Sequence, residues 1–129
     1  IGRKGILNLS TRANVGTGDA VLIGGIIQRG DAVQSVIVRA IGPDLTSAYV
    51  PGALQDPVLE LRDSDGALVA SNDDWRSDQE AEIEATNLQP TSDSEAAILA
   101  TLQPAPYTAI VRGANEAVGV ALVEIYGLN

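Results

Sequence analysis

Short aliphatic segments with a two-residue period recur along the chain, each closed by turn-forming residues, and that rhythm leaves few folds open. "GILNLST" (5–11) places Leu7, Leu9 and Thr11 on one face, and "SVIVRAI" (35–41) sets Val36, Val38 and Ala40 against Ile37, Arg39 and Ile41. "VLELR" (58–62) turns Leu59 and Leu61 inward and Glu60 and Arg62 outward. "AVLIGGIIQ" (20–28) is a continuous apolar run broken by Gly24-Gly25, the mark of a bulge or of a close backbone approach. Asp63-Ser64-Asp65-Gly66 joins "VLELR" to "ALVA" (67–70) as a hairpin through its Asp-Gly pair. "AAILATL" (96–102), "YTAIVRG" (107–113) and "GVALVEIY" (119–126) bring the total to about eight strands. No strand–helix–strand rhythm appears, so a parallel α/β fold is excluded. The expectation is an all-β, two-sheet antiparallel β-sandwich, jelly-roll-like, in one domain over 1–129.

The two-residue period fails between Trp75 and Asp93. Ser77 and Glu80 have the S-x-x-E spacing of a capping box, which predicts one short surface helix near residues 78–87, anchored by Ile83. The stretch 42–57 holds three Pro and two Gly and reads as an ordered crossover between sheets. Phe, Met, Cys and His are all absent, so the core must be built from Val, Ile, Leu and Ala.

The same absences narrow the chemistry. Without His or Cys there is no Ser-His-Asp or Cys-His nucleophile, no disulfide, and no preferred ligand for a transition metal. A glycosidase needs two carboxylates in an aromatic-lined cleft, and one Trp with three Tyr is thin material for one. A non-catalytic protein is expected; an enzyme reading would use an acid pair such as Asp73 and Glu80. The longest apolar run, Ala20 to Ile27, is far short of the roughly 20 residues of a membrane span, so no membrane insertion is expected. The chain opens on Ile1 and reads as a processed or excised segment. Ten acids against Arg76 alone fall between Asp63 and Glu95, and that segment accounts for the entire formal net charge of −9. Such a field repels phosphate backbones and anionic lipid and draws cations, which argues against nucleic acid as a partner.

Residues 71–75 read "SNDDW", three amide or carboxylate side chains in a row before the only Trp. A hard cation such as Ca²⁺ takes about six to eight oxygens from carboxylates, Asn amides and carbonyls, so Asn72, Asp73 and Asp74 are candidate ligands. Asp63 and Asp65 would lie at the far end of the same hairpin, and their spacing does not fit an EF-hand loop. The competing reading makes Asp63 and Asp65 turn residues, has Asn72 and Asp73 bond nearby backbone amides, and leaves the remaining acids as a solvated face. Trp75 has two readings as well: a binding platform for a sugar ring, paired with Tyr49, Tyr107 or Tyr126, or a plug that folds the loop back over the sandwich.

"LNLSTRANVGTGDAVLIGGIIQRG", "VIVRAIGPDL", "VPGALQDPVLELRDSDGALVASNDDW", "EIEATNLQPTSDSEAAILATLQPAPYTAIVRG" and "VGVALVEIYGL" together resemble a repeat module of large secreted bacterial surface proteins. The second half is more distantly similar to bacterial pre-peptidase C-terminal domains, in which a strand, an Asp-Gly turn, a strand and an Asn/Asp-rich loop precede a "YTxxVxG" strand. This resemblance implies a non-catalytic jelly-roll module, extracellular or at the bacterial cell surface, with an ion site at Asn72, Asp73 and Asp74. It also implies arrays, in which copies of the module or neighbouring β-domains meet through edge strands 5–11 and 119–128 as a fibre or tandem-repeat surface protein. The alternative is a module that binds carbohydrate or protein beside a secreted enzyme.

Overall fold

The structure, a computed structural model, describes residues 6–18, 20–27 and 33–128. Gly5 and Gln28, which the periodicity places at strand ends, lie outside the described residues. Eight strands form: β1 (Ile6–Val15), β2 (Leu22–Ile27), β3 (Gln34–Ile41), β4 (Pro57–Arg62), β5 (Leu68–Asn72), β6 (Ala96–Leu102), β7 (Pro106–Gly113) and β8 (Gly119–Leu128). They pair antiparallel in two four-stranded sheets, β1-β8-β3-β6 and β2-β7-β4-β5. The expected β-sandwich is the observed fold.

The alternation read from the sequence sets the faces. Val36, Val38 and Ala40 of β3, Leu59 and Leu61 of β4, and Ala121, Val123 and Ile125 of β8 all enter the core between the sheets. Burying a side chain of that size is worth roughly 1.5–3 kcal/mol, and this aliphatic layer is the main stabilising term. Of the two meanings open for Gly24-Gly25, the close approach is the one realised. β2 keeps an unbroken register with β7, and a Cβ on Gly24 would lie 2.9 Å from Leu9 Cδ2 and 3.2 Å from Val123 Cγ1. A bulge does occur, but in β1, between Leu7 and Leu9, so the strict alternation expected there is interrupted.

The β4–β5 hairpin turns at the expected Asp-Gly signal. Asp63 Oδ1 accepts the backbone N–H groups of Asp65 and Ala67, both at 2.9 Å, and Gly66 has φ +82°, so Asp63 shapes the turn.

Two short helices stand outside the sheets. The crossover 42–57 contains one that the sequence did not signal, α1 (Pro43–Ser47), with Leu45 buried beside Ile41 and Ala53. The expected surface helix is α2 (Glu80–Ala85), preceded by a 3-10 turn at Trp75–Ser77. Ile83 is its buried anchor, as expected, but the capping box does not form. The residue before α2 is Gln79, in a left-handed conformation, while the Ser77 hydroxyl donates to the Asp74 carbonyl and Glu80 pairs with Arg76. Segment 75–88 lies on the outer face of β3 and β6, where Ile37, Trp75, Ile83 and Ala97 form a second buried cluster. Sheet β1-β8-β3-β6 is therefore covered on both faces in this region.

Glu95 is fully buried and ties these layers together. Its Oε2 accepts Gly42 N–H at 2.9 Å and Asp44 N–H at 2.8 Å, and its Oε1 accepts Ser92 N–H at 3.3 Å. The carboxylate thus caps α1 from across the molecule. Burial raises its pKa above the ordinary value of 4.5, while the three amide donors pull it down without cancelling the effect. A raised folded-state pKa contributes stability that is full below the unfolded value and lost as pH rises through the folded value. The Glu95→Gln variant, neutral at every pH, should show a flatter melting temperature than wild type from about pH 4.5 to neutrality. Superimposable pH profiles would contradict the assignment.

Candidate functional site

The acidic loop after β5 does its first work on a neighbouring strand. β6 is the last strand of its sheet, and its outward backbone groups would otherwise meet water or another chain. Asn72 Oδ1 accepts Ala97 N–H at 3.1 Å. Gln79 Oε1 accepts Leu99 N–H at 3.1 Å, and Gln79 Nε2 donates to the Leu99 carbonyl at 2.9 Å. Trp75 N–H donates to the Glu95 carbonyl at 2.9 Å, just before the strand. Residues 72–79 thus act as a side-chain substitute for a further strand, and β6 is a sealed edge.

This sealing decides the role of Asn72. The residue is 7% exposed, its Oδ1 is held by Ala97, and its Nδ2 donates to the Asp74 carbonyl at 3.2 Å. Both ends of the Asn72 amide are thus engaged within the protein, and the side chain is turned towards the edge of β6. Asp73 and Asp74 do come together, and the third member of their group is Asp56, from the end of the crossover. One carboxylate oxygen from each of the three lies within 4.8 Å of the other two. Asp56 Oδ1 is buried without a hydrogen-bond partner. Partial burial first, then a hydrogen bond with Asp56 and repulsion from it, raise the Asp73 pKa. The sequence carried no signal for Asp56, because only the folding of the crossover against the end of β5 brings it near.

Trp75 is 1% exposed. One indole face packs in the cluster with Ile37, Ile83 and Ala97, and the Arg76 guanidinium lies 4.4 Å from the ring centroid. The indole offers no open face to a sugar ring, so its placement as a binding platform is corrected; it covers the outer face of the sheet. Arg76 is also held by Glu80 at 2.5 Å, Asp93 at 2.7 Å and Glu84 at 3.6 Å. Asp93 first, then Glu80, raise its pKa. Glu80 belongs to this cluster and Asp73 to the Asp56 group, so these two acids fall in separate groups.

The other tyrosines and arginines named above also find their places. Tyr126 lies beneath Arg39, whose guanidinium is 5.3 Å from the ring centroid, bridges to Glu124 and donates to the Leu88 carbonyl at 3.1 Å. The Tyr107 hydroxyl accepts Gln103 N–H at 3.1 Å. Arg112 pairs with Glu60 at 3.4 Å. Tyr49 stands apart, 93% exposed.

The expected edge at 119–128 is not one. β8 pairs with β1 on one side and β3 on the other, so its ladder groups are used in both directions. β1 remains an edge, as expected, and β2 is the edge of the facing sheet on the same side of the sandwich.

These features define a β-sandwich with one edge sealed by side chains and an aspartate cluster at the end of the sealing loop. No protein-family model matches the sequence, and no curated protein matches it. Among solved structures, the fold is similar to the pre-peptidase C-terminal domain of a collagenase from Bacillus anthracis, with a TM-score of 0.51 and 10% identity over 92% of this chain and 89% of that one. The distant likeness read from the second half of the sequence is thus present in three dimensions, at the level of the fold.

Replacing Gln79 by Ala removes both bonds to Leu99 and should lower stability by about 1–2 kcal/mol. Amide exchange at Leu99 should quicken about tenfold or more while Val38, in the middle of the sheet, is much less affected. Unchanged exchange at Leu99 would mean that Gln79 does not seal the edge.

Proposed function

We propose that the chain is a non-catalytic structural module of an extracellular bacterial assembly, joined to its neighbours through the β1 side of the sandwich and stiffened by Ca²⁺ at Asp56, Asp73 and Asp74. The observation that carries this reading is the contrast between the two edges of one sheet. β6 is covered by Asn72 and Gln79 at Ala97 and Leu99, whereas β1, ten residues long, pairs among the described residues with β8 alone. Next to β1, edge strand β2 exposes Ile23 to 57%. A sheet with one guarded and one open edge suits strand-to-strand contact, through the open edge, with a copy of itself or with a neighbouring β-domain. The absence of His and Cys from the sequence, with Asp73 and Glu80 held by different partners, supports a non-catalytic role.

The ion assignment rests on donor chemistry. Three carboxylates and no nitrogen or sulfur ligand favour a hard cation over a transition metal. The buried, unpartnered Asp56 oxygen and the raised pKa of Asp73 both mark a place where a positive charge would be welcome. A cation there would tie the crossover to the end of the sealing loop.

Two experiments test the parts separately. With Ca²⁺ at about a hundred times its dissociation constant, mass action should stabilise the fold by about 2.7 kcal/mol, so EDTA should lower the melting temperature and excess Ca²⁺ restore it. Asp73→Asn should abolish that response yet melt no lower than wild type in EDTA, because it relieves repulsion with Asp56. A wild-type melt indifferent to Ca²⁺ would remove the ion. For association, sedimentation of the wild-type chain across a concentration series should show growth beyond the monomer. Ile23→Lys, at an exposed edge position, should stay folded and remain monomeric. A wild-type chain that stays strictly monomeric at millimolar concentration would refute the open-edge reading.

A further inference from the structure

Tyr49 occupies a position where the backbone strongly favours another residue. It follows α1 as the first residue past the cap, with φ +64°. Its N–H donates to the Thr46 carbonyl and the Val50 N–H to the Leu45 carbonyl, both at 3.0 Å. That paired pattern closes a helix C-terminus through a left-handed residue, usually Gly. A tyrosine there is strained, and its ring recovers nothing by packing, since it stands 93% in solvent. Neither local conformation nor burial accounts for the side chain.

The ring forms one wall of an open groove of about 540 Å³ between the end of the crossover and the last residues of β1. Arg12 and Asn14 of β1 face it, with Val50, Pro51 and Val120 between them. Among the described residues, Arg12 is the only charged one lining the groove. Among the described residues, Arg39, Arg62, Arg76 and Arg112 all have carboxylate partners, while Arg12 has none. In a chain of net charge −9, an arginine that has, among the described residues, no carboxylate partner and no acid in its groove is distinctive.

From this placement we infer a binding site for an acidic saccharide, a uronic-acid oligomer being the chemical class that fits. Tyr49 supplies a flat, exposed face for the C–H side of a pyranose ring. Arg12 supplies a planar fork matched to a sugar carboxylate, and Asn14 an amide for neighbouring hydroxyls. An open, shallow groove with its aromatic in full solvent suits stacking on a sugar more than the buried anchor typical of a peptide interface. The site shares no residue with the Asp56, Asp73 and Asp74 cluster; Arg12 and Asn14 do belong to β1, the strand proposed for association, so saccharide binding is read on the monomeric chain, where its failure and the failure of association are distinguishable.

The test uses the intact chain with a galacturonic acid trimer and, as the neutral counterpart, maltotriose, followed by NMR titration and calorimetry. Saturable binding of the acidic trimer, at least about fivefold tighter than the neutral one, is expected, with shifts centred on Arg12, Asn14 and Tyr49. Arg12→Gln should reduce the acidic trimer to the affinity of the neutral one. Tyr49→Gly should weaken binding by about tenfold or more while leaving the melting temperature unchanged or higher, since glycine relaxes the left-handed backbone. That separation of binding from stability is the signature of the site. Absence of saturable binding at millimolar saccharide, full affinity in Tyr49→Gly, or Tyr49-dependent binding of an acidic peptide in place of the uronate would each overturn the proposal.

Discussion

The buried carboxylate of Glu95 is the contact on which the remote parts of this sandwich depend. Its side chain reaches Gly42 and Asp44 at the start of α1 and Ser92 in the loop before β6, while its own carbonyl receives Trp75 N–H. One residue therefore registers the crossover, the acidic segment and the end of β6 against each other. A buried charge is unfavourable unless its lone pairs are matched, and three amide donors are the matching here. Loss of this contact would loosen α1, which carries the Tyr49 groove, and the segment that seals β6. Both candidate sites sit on loops, but on loops anchored to the same interior point.

The covering of one sheet on both faces explains a pattern in the strands. β3 is buried at Val36, Ile37 and Val38 in succession because its inner side meets the facing sheet and its outer side meets Trp75 and Ile83. β4 alternates cleanly, with Leu59 and Leu61 fully buried and Glu60 and Arg62 facing outward, because nothing covers its outer face to the same degree. A core without Phe or Met must bury many medium-sized aliphatics, and the lone Trp is used outside that core, where a broad flat surface between sheet and helix has to be filled.

The strands were legible because alternation and turn residues are local signals: Leu59 and Leu61 could only face one way, and Asp63 with Gly66 could only be a turn. Sheet order was not local. β8 ends the described chain yet sits between β1 and β3, so apolar alternation at 119–126 said nothing about whether its backbone was free. α1 went unseen because Pro43-Asp44-Leu45-Thr46-Ser47 is too short to show a helical period, and its cap comes from Glu95, far along the chain. The capping box failed for a related reason: Ser77 and Glu80 have the right spacing, but Asp74 and Arg76 bind them more directly. At the acidic loop, composition located the cluster, while tertiary contacts exchanged neighbours within it, setting Asn72 on Ala97 and bringing Asp56 to Asp73 and Asp74.

That exchange also accounts for the order of residues in "SNDDW". The chain leaves β5 at an edge, and a strand edge left open in a protein with this much aliphatic surface invites pairing with another chain. Asn72 turns its amide onto Ala97, Trp75 holds the turn flat against the sheet, and Gln79 completes the seal at Leu99. With the amide and the indole facing inward, Asp73 and Asp74 are left on the outer side of the same turn, where they meet Asp56. The dense oxygen cluster and the lone Trp are adjacent because one turn presents two faces: an inner one that satisfies a neighbouring strand, and an outer one that gathers negative charge.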